Sequence, residues 1–84
     1  MYDEDMEWHK REAEKRTVEL ANDLAGIRKS LYLTQTQVSD SLGKTTHANL
    51  SKIEQGKTIP RLDHLLRILS VYGYTIKFIK KSDV

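Results

Sequence analysis

Residue types able to do chemistry are sparse in this chain, and their spacing argues against catalysis. The three histidines, His9, His47 and His64, fall on separate segments, and no spacing among them would gather a metal ion. Ser39, Asp40 and His47 form no nucleophile-and-base arrangement. The absence of cysteine removes thiolate metal sites and disulfides together. We therefore expect no enzyme, no metal, no cofactor and no small-molecule substrate. What is left is the chemistry of recognition: charge, side-chain amides and hydroxyls held at fixed positions.

Charge is unevenly spread. The net charge is +2, but residues 1–19 carry seven acidic and four basic groups, while residues 20–84 carry five and ten. The segment is thus acidic and the body basic, which suits a polyanionic partner. With 38% hydrophobic and 31% charged residues, the composition is that of an ordinary folded domain. Its 84 residues allow one domain with a thin core, so association between copies is the remaining source of stability. No apolar run approaches the roughly 20 residues that cross a bilayer, and the acidic start Met1-Tyr2-Asp3-Glu4-Asp5 is no secretory signal. A cytoplasmic protein is expected, with no membrane partner.

The elements that must position these groups follow from periodicity. Leu20, Leu24, Ile27 and Leu31 recur at three- and four-residue spacing and predict an amphipathic helix of about three turns. Thr34 and Gln37 form a capping-box pair opening a short second helix that buries Val38 and Leu42 and stops at Gly43. Threonines in Lys44-Thr45-Thr46-His47 offer caps for a third helix, burying Leu50 and Ile53 and ending at Gly56. After a loop fixed by Pro60, residues 61–72 place Leu62, Leu65, Leu66, Leu69 and Tyr72 on one face of a fourth helix closed by Gly73.

From Tyr74 to Lys80 the period changes to two, with Tyr74, Ile76 and Phe78 facing one way. A lone strand leaves its backbone unpaired, and nothing else in the chain reads as a strand, so its partner must be another copy. In residues 1–19, Met6, His9, Ala13 and Thr17 continue the first helical stripe weakly, while Glu12, Lys15, Arg16 and Glu19 stand at supporting spacings. Either the segment extends the first helix, or it is mobile until it meets a partner. Trp8 within it is either an interface anchor or a residue that folds back on the core.

Taken in order, Arg28, Leu33-Thr34-Gln35, Val38, Leu42-Gly43, Leu50-Ser51, Ile53-Glu54, Gly56 and Pro60 resemble the phage-repressor family, the lambda repressor-like or Xre helix-turn-helix proteins, over roughly residues 20–73. The resemblance implies an all-α fold, a compact bundle of four or five helices whose second and third helices form the helix-turn-helix. To this the C-terminal β-strand is added, pairing across a homodimer. The domains expected are a charged N-terminal extension (1–19), a DNA-binding domain (20–73) and a dimerisation strand (74–81). The partners implied are double-stranded DNA and a second copy.

The resemblance also assigns roles. Arg28 and Glu54 correspond to a partly buried ion pair tying the recognition helix to the scaffold. Thr46, His47, Ala48 and Asn49, at the start of the third helix, are the base-contacting set. Asparagine can pair with adenine in two bonds, histidine can reach guanine, and a methyl can meet thymine. Gln35, Thr45, Lys52, Lys57, Thr58 and Arg61 are the phosphate-contacting set. The gap from Gln35 to Gly56 is one residue longer than the family's usual spacing, so either Thr45 or Thr46 is the cap.

One recognition helix reads few base pairs, so a strand-linked dimer on a palindromic operator is expected, its half-sites about 34 Å apart. A helix-turn-helix followed directly by such a strand, after a short charged extension, also looks like the antitoxins of toxin–antitoxin operons, of the HigA or HipB type. That likeness implies a repressor of its own operon that neutralises a protein toxin, with the extension around Trp8 or the rim of the strand as the toxin contact. The alternatives are a phage or mobile-element repressor without a toxin, and an interaction adaptor without DNA binding.

Overall fold

The computed structural model describes the backbone of residues 2–43 and 47–80, and the side chains of residues 7–43 and 49–80. Four α-helices follow one another: α1 (Tyr2–Ser30), α2 (Gln35–Leu42), α3 (His47–Glu54) and α4 (Leu62–Tyr72). Helix α2 packs on both α3 and α4, and α1 packs on α3. The core is Leu24 from α1, Val38 and Leu42 from α2, Leu50 and Ile53 from α3, and Ile68, Leu69 and Tyr72 from α4. Leu20, Ile27, Leu33, Leu65 and Val71 pack partly buried around it.

The helix boundaries are set by local chemistry. Thr34 caps α2: its hydroxyl accepts the Gln37 N–H at 3.0 Å, and the Gln37 side chain accepts the Thr34 N–H at 2.8 Å. This reciprocal pair satisfies two backbone donors that α2 cannot satisfy itself. Gly43, with φ 77°, ends α2 as expected, and its N–H donates to the Ser39 carbonyl. The threonine caps expected at Thr45 and Thr46 lie outside the described residues. Helix α4 closes at Gly73, whose N–H reaches the carbonyls of Leu69 and Ser70.

One alternative left open by the sequence is decided, and two expectations are corrected. The first helix does not begin near Leu20: it runs 29 residues from Tyr2, so the helical alternative for the segment holds. Arg16 supports that extension by reaching Glu12 and Glu19, each at 3.1 Å, one turn to either side. At 1.5 Å per residue such a helix spans about 43 Å, and it accounts for the longest dimension of the molecule, 47 Å. Leu31, expected on the buried stripe, is 42% exposed because the helix has already ended at Ser30.

On α4 the buried face is also rotated from the expected one. Ile68 is fully buried, whereas Leu62 and Leu66 are exposed, at 66% and 42%. This helix carries apolar residues around more than half its circumference, so spacing alone admits two faces; contact with α2 selects the one centred on Leu65, Ile68, Leu69 and Tyr72. Among the described residues of the single chain, residues 74–80 form no ladder; the pairing expected of this segment is with a second copy.

Candidate nucleic-acid interface

The positioning of α3 rests on one side chain of α1. The Arg28 guanidinium grips the Glu54 carboxylate in a two-bond fork, Nε to Oε2 at 2.8 Å and Nη2 to Oε1 at 3.0 Å. Its remaining Nη1 donates to the Leu33 carbonyl at 2.8 Å, in the turn between α1 and α2. Gln35, the first residue of α2, donates from Nε2 to Glu54 Oε1 at 2.9 Å. Glu54 therefore collects donors from α1 and α2 at the end of α3, and a single carboxylate fixes three elements in one arrangement.

Both charges are buried, 11% exposed for the Arg28 side chain and 6% for Glu54. Burial of an ion pair is tolerable only when its hydrogen bonds are filled, as these are. The bonds to Glu54 hold the Arg28 guanidinium above its ordinary value, prevailing over the burial that opposes charge. Below the pair, burial pushes the Tyr72 phenol up to about 12, with the nearby Glu54 charge adding to the effect. Both shifts keep the groups in their neutral-pH forms, so the cluster is a fixed scaffold.

Of the residues assigned to DNA by the sequence, Thr45 and Thr46 lie outside the described residues, and the others occupy α2, α3 and the loop after α3. His47 and Ala48 are the first two residues of α3, with side chains outside the described set. Asn49 follows one residue on and is exposed. Lys52 lies exposed in the last turn of α3, and Lys57, Thr58 and Arg61 are exposed beyond it. Arg61 stands 3.6 Å from Asp63 across a solvent-exposed gap. Gln35, expected to hold a phosphate, has its amide directed to Glu54, a link that spacing could not reveal because it joins residues 19 apart. Leu33 stands in the motif, but its role is carried by its carbonyl, a backbone acceptor invisible to side-chain pattern.

Trp8 is half exposed on α1 and meets His9 edge-on, ring centroids 4.9 Å apart. Tyr74, Ile76 and Phe78 are exposed along the C-terminal segment. Among the described residues no cluster of three or more histidine, cysteine or acidic side chains could hold a metal, and no helix is long and apolar enough to cross a membrane.

Comparison with known proteins matches residues 24–79 to a family model described as helix-turn-helix. No curated protein and no solved structure gives a significant match. The matched stretch takes in the core of α1, both short helices, α4 and most of the C-terminal segment. It holds the fork from Arg28 to Glu54 and covers well over half of the chain, and its family is one of DNA-binding transcription regulators. The chain belongs to the Xre, lambda repressor-like branch of the helix-turn-helix family.

Proposed function

We propose that the protein is a homodimeric, sequence-specific repressor that reads a palindromic operator through Thr46, His47, Ala48 and Asn49. The observation that carries this reading is the Arg28, Gln35 and Glu54 cluster, because a recognition helix discriminates bases only if its angle to the scaffold is fixed. The reading gives His47 and Asn49 the base contacts and leaves Lys52, Lys57, Thr58 and Arg61 to the phosphates, with Gln35 and Thr45 at the opening of the two helices. Two copies would join through Tyr74, Ile76 and Phe78, whose exposed side chains and two-residue period suit an antiparallel pairing.

The half-exposed Trp8 favours an antitoxin over a phage or mobile-element repressor, since an amphipathic helix bearing an aromatic anchor suits a protein partner. An adaptor that binds no duplex fits the basic body poorly.

The test begins with selection of a binding site from a random duplex library by the intact chain. Against that site, His47→Ala and Asn49→Ala should each weaken binding about tenfold or more and relax preference at separate base positions. Unchanged affinity and preference in both variants would remove the base-reading assignment. Copurification of a small partner, lost in Trp8→Ala, is the outcome expected of an antitoxin.

A further inference from the structure

The turn that follows α1 contains a residue in an unfavourable backbone conformation with no internal reward. Tyr32 has φ 58°, the one non-glycine residue in the left-handed region among those described. It occupies the position where a helix closes on itself: its N–H donates to the Lys29 carbonyl at 2.9 Å, and the Leu33 N–H donates to the Arg28 carbonyl at 3.1 Å. That pair of bonds is the Schellman closure, whose left-handed residue is most often glycine because a Cβ crowds the backbone there. The three other closing positions, Gly43, Gly56 and Gly73, are glycine in this chain. Tyrosine is the exception.

The tyrosine does not repay its strain by packing, for its side chain is 93% exposed. Nor is it loosely held. Leu33, its neighbour, is partly buried against the core, and the Leu33 carbonyl is gripped by the arginine that fixes α3 through Glu54. Tyr32 is therefore presented outward from a rigid point tied to the recognition helix, beside exposed Lys29 and two residues ahead of the Thr34 cap. A strained residue persists where its surroundings hold it and its side chain has outside work.

We infer that Tyr32 is a further contact to duplex DNA, its phenol hydroxyl donating a hydrogen bond to a backbone phosphate. The inference rests on the DNA-binding reading above and adds a residue that neither the motif nor the charge pattern singles out. A phosphate contact carries no base preference, so it acts on any duplex.

The experiment compares the intact chain with Tyr32→Gly and Tyr32→Phe on a mixed-sequence 30-bp duplex at low salt, by fluorescence anisotropy, alongside thermal melts. Tyr32→Gly should melt roughly 4 °C higher, through relief of the backbone strain. It should bind the duplex about fivefold more weakly. Tyr32→Phe should melt with wild type and bind as weakly as the glycine variant. Stability and affinity moving in opposite directions is the signature of a residue kept for contact. Undiminished binding by Tyr32→Gly, with the wild type bound, overturns the role of Tyr32 alone. Wild-type binding by Tyr32→Phe overturns the hydroxyl contact. A wild-type chain that leaves the duplex unbound overturns the DNA-binding reading and this role with it.

Discussion

At the scale of single residues, the buried ion pair of the described residues is fully hydrogen-bonded within one cluster. Arg28, Glu54, Gln35 and the Leu33 carbonyl satisfy one another, while the Tyr72 hydroxyl beneath them is buried without a hydrogen-bond partner among the described residues. Tyr72→Phe should therefore leave neutral-pH stability within about 1 kcal/mol of wild type, since the group removed makes no such bond. Its effect belongs at high pH. An unfolded tyrosine titrates near 10, whereas Tyr72 in the fold is pushed up to about 12 by burial and by Glu54. The folded state then holds its proton where the unfolded state has lost it. The associated stability is whole below pH about 10 and declines as pH rises through about 12, a loss of about 3 kcal/mol. Denaturant titrations from pH 8 to 12 should show a shallower decline in Tyr72→Phe, and matching slopes would refute the assignment.

At the scale of elements, legibility followed how local each signal was. The α2 cap was readable because Thr34 and Gln37 are three residues apart and act on each other. The glycine stops were readable for the same reason. The face of α4 was not, since Leu62, Leu66 and Ile68 are equally apolar and only the neighbouring α2 distinguishes them. The length of α1 was left between two outcomes: an exposed helix depends on marginal pairings such as that of Arg16 with Glu12 and Glu19, which spacing permits without requiring. Of the candidate site, the motif residues were legible, while the Gln35 link and the Tyr32 strain depend on contacts and torsions that exist only in the folded chain. Because the buried core begins at Ala21 among the described residues, the first turns of α1 should be dispensable for the bundle. A chain lacking residues 1–16 should melt within about 4 °C of the full chain, as followed by circular dichroism. A collapse of the transition would mean that these turns belong to the core.

At the scale of the whole molecule, shape and charge divide along the same line. The acidic segment lies in the extended α1, and the basic body holds the helix-turn-helix, so the field favours approach to a polyanion body-first. Association between copies is the other property at this scale. The C-terminal segment exposes Phe78 almost entirely and Ile79 by 69%, surface that a small domain would gain by covering. Removing residues 74–84 should leave a monomer in sedimentation and reduce operator binding to weak half-site binding; a dimer persisting without them would rule out pairing through this segment.

The length of α1 has one more consequence. Trp8 is the only tryptophan in the chain, and eleven helical residues separate it from Leu20 at the edge of the core, twelve steps or about 18 Å along the axis. Its intrinsic emission thus originates far from the recognition helix. Light absorbed at 295 nm therefore reports on the environment of that helical extension, and a change there alters the emission without involving the recognition helix.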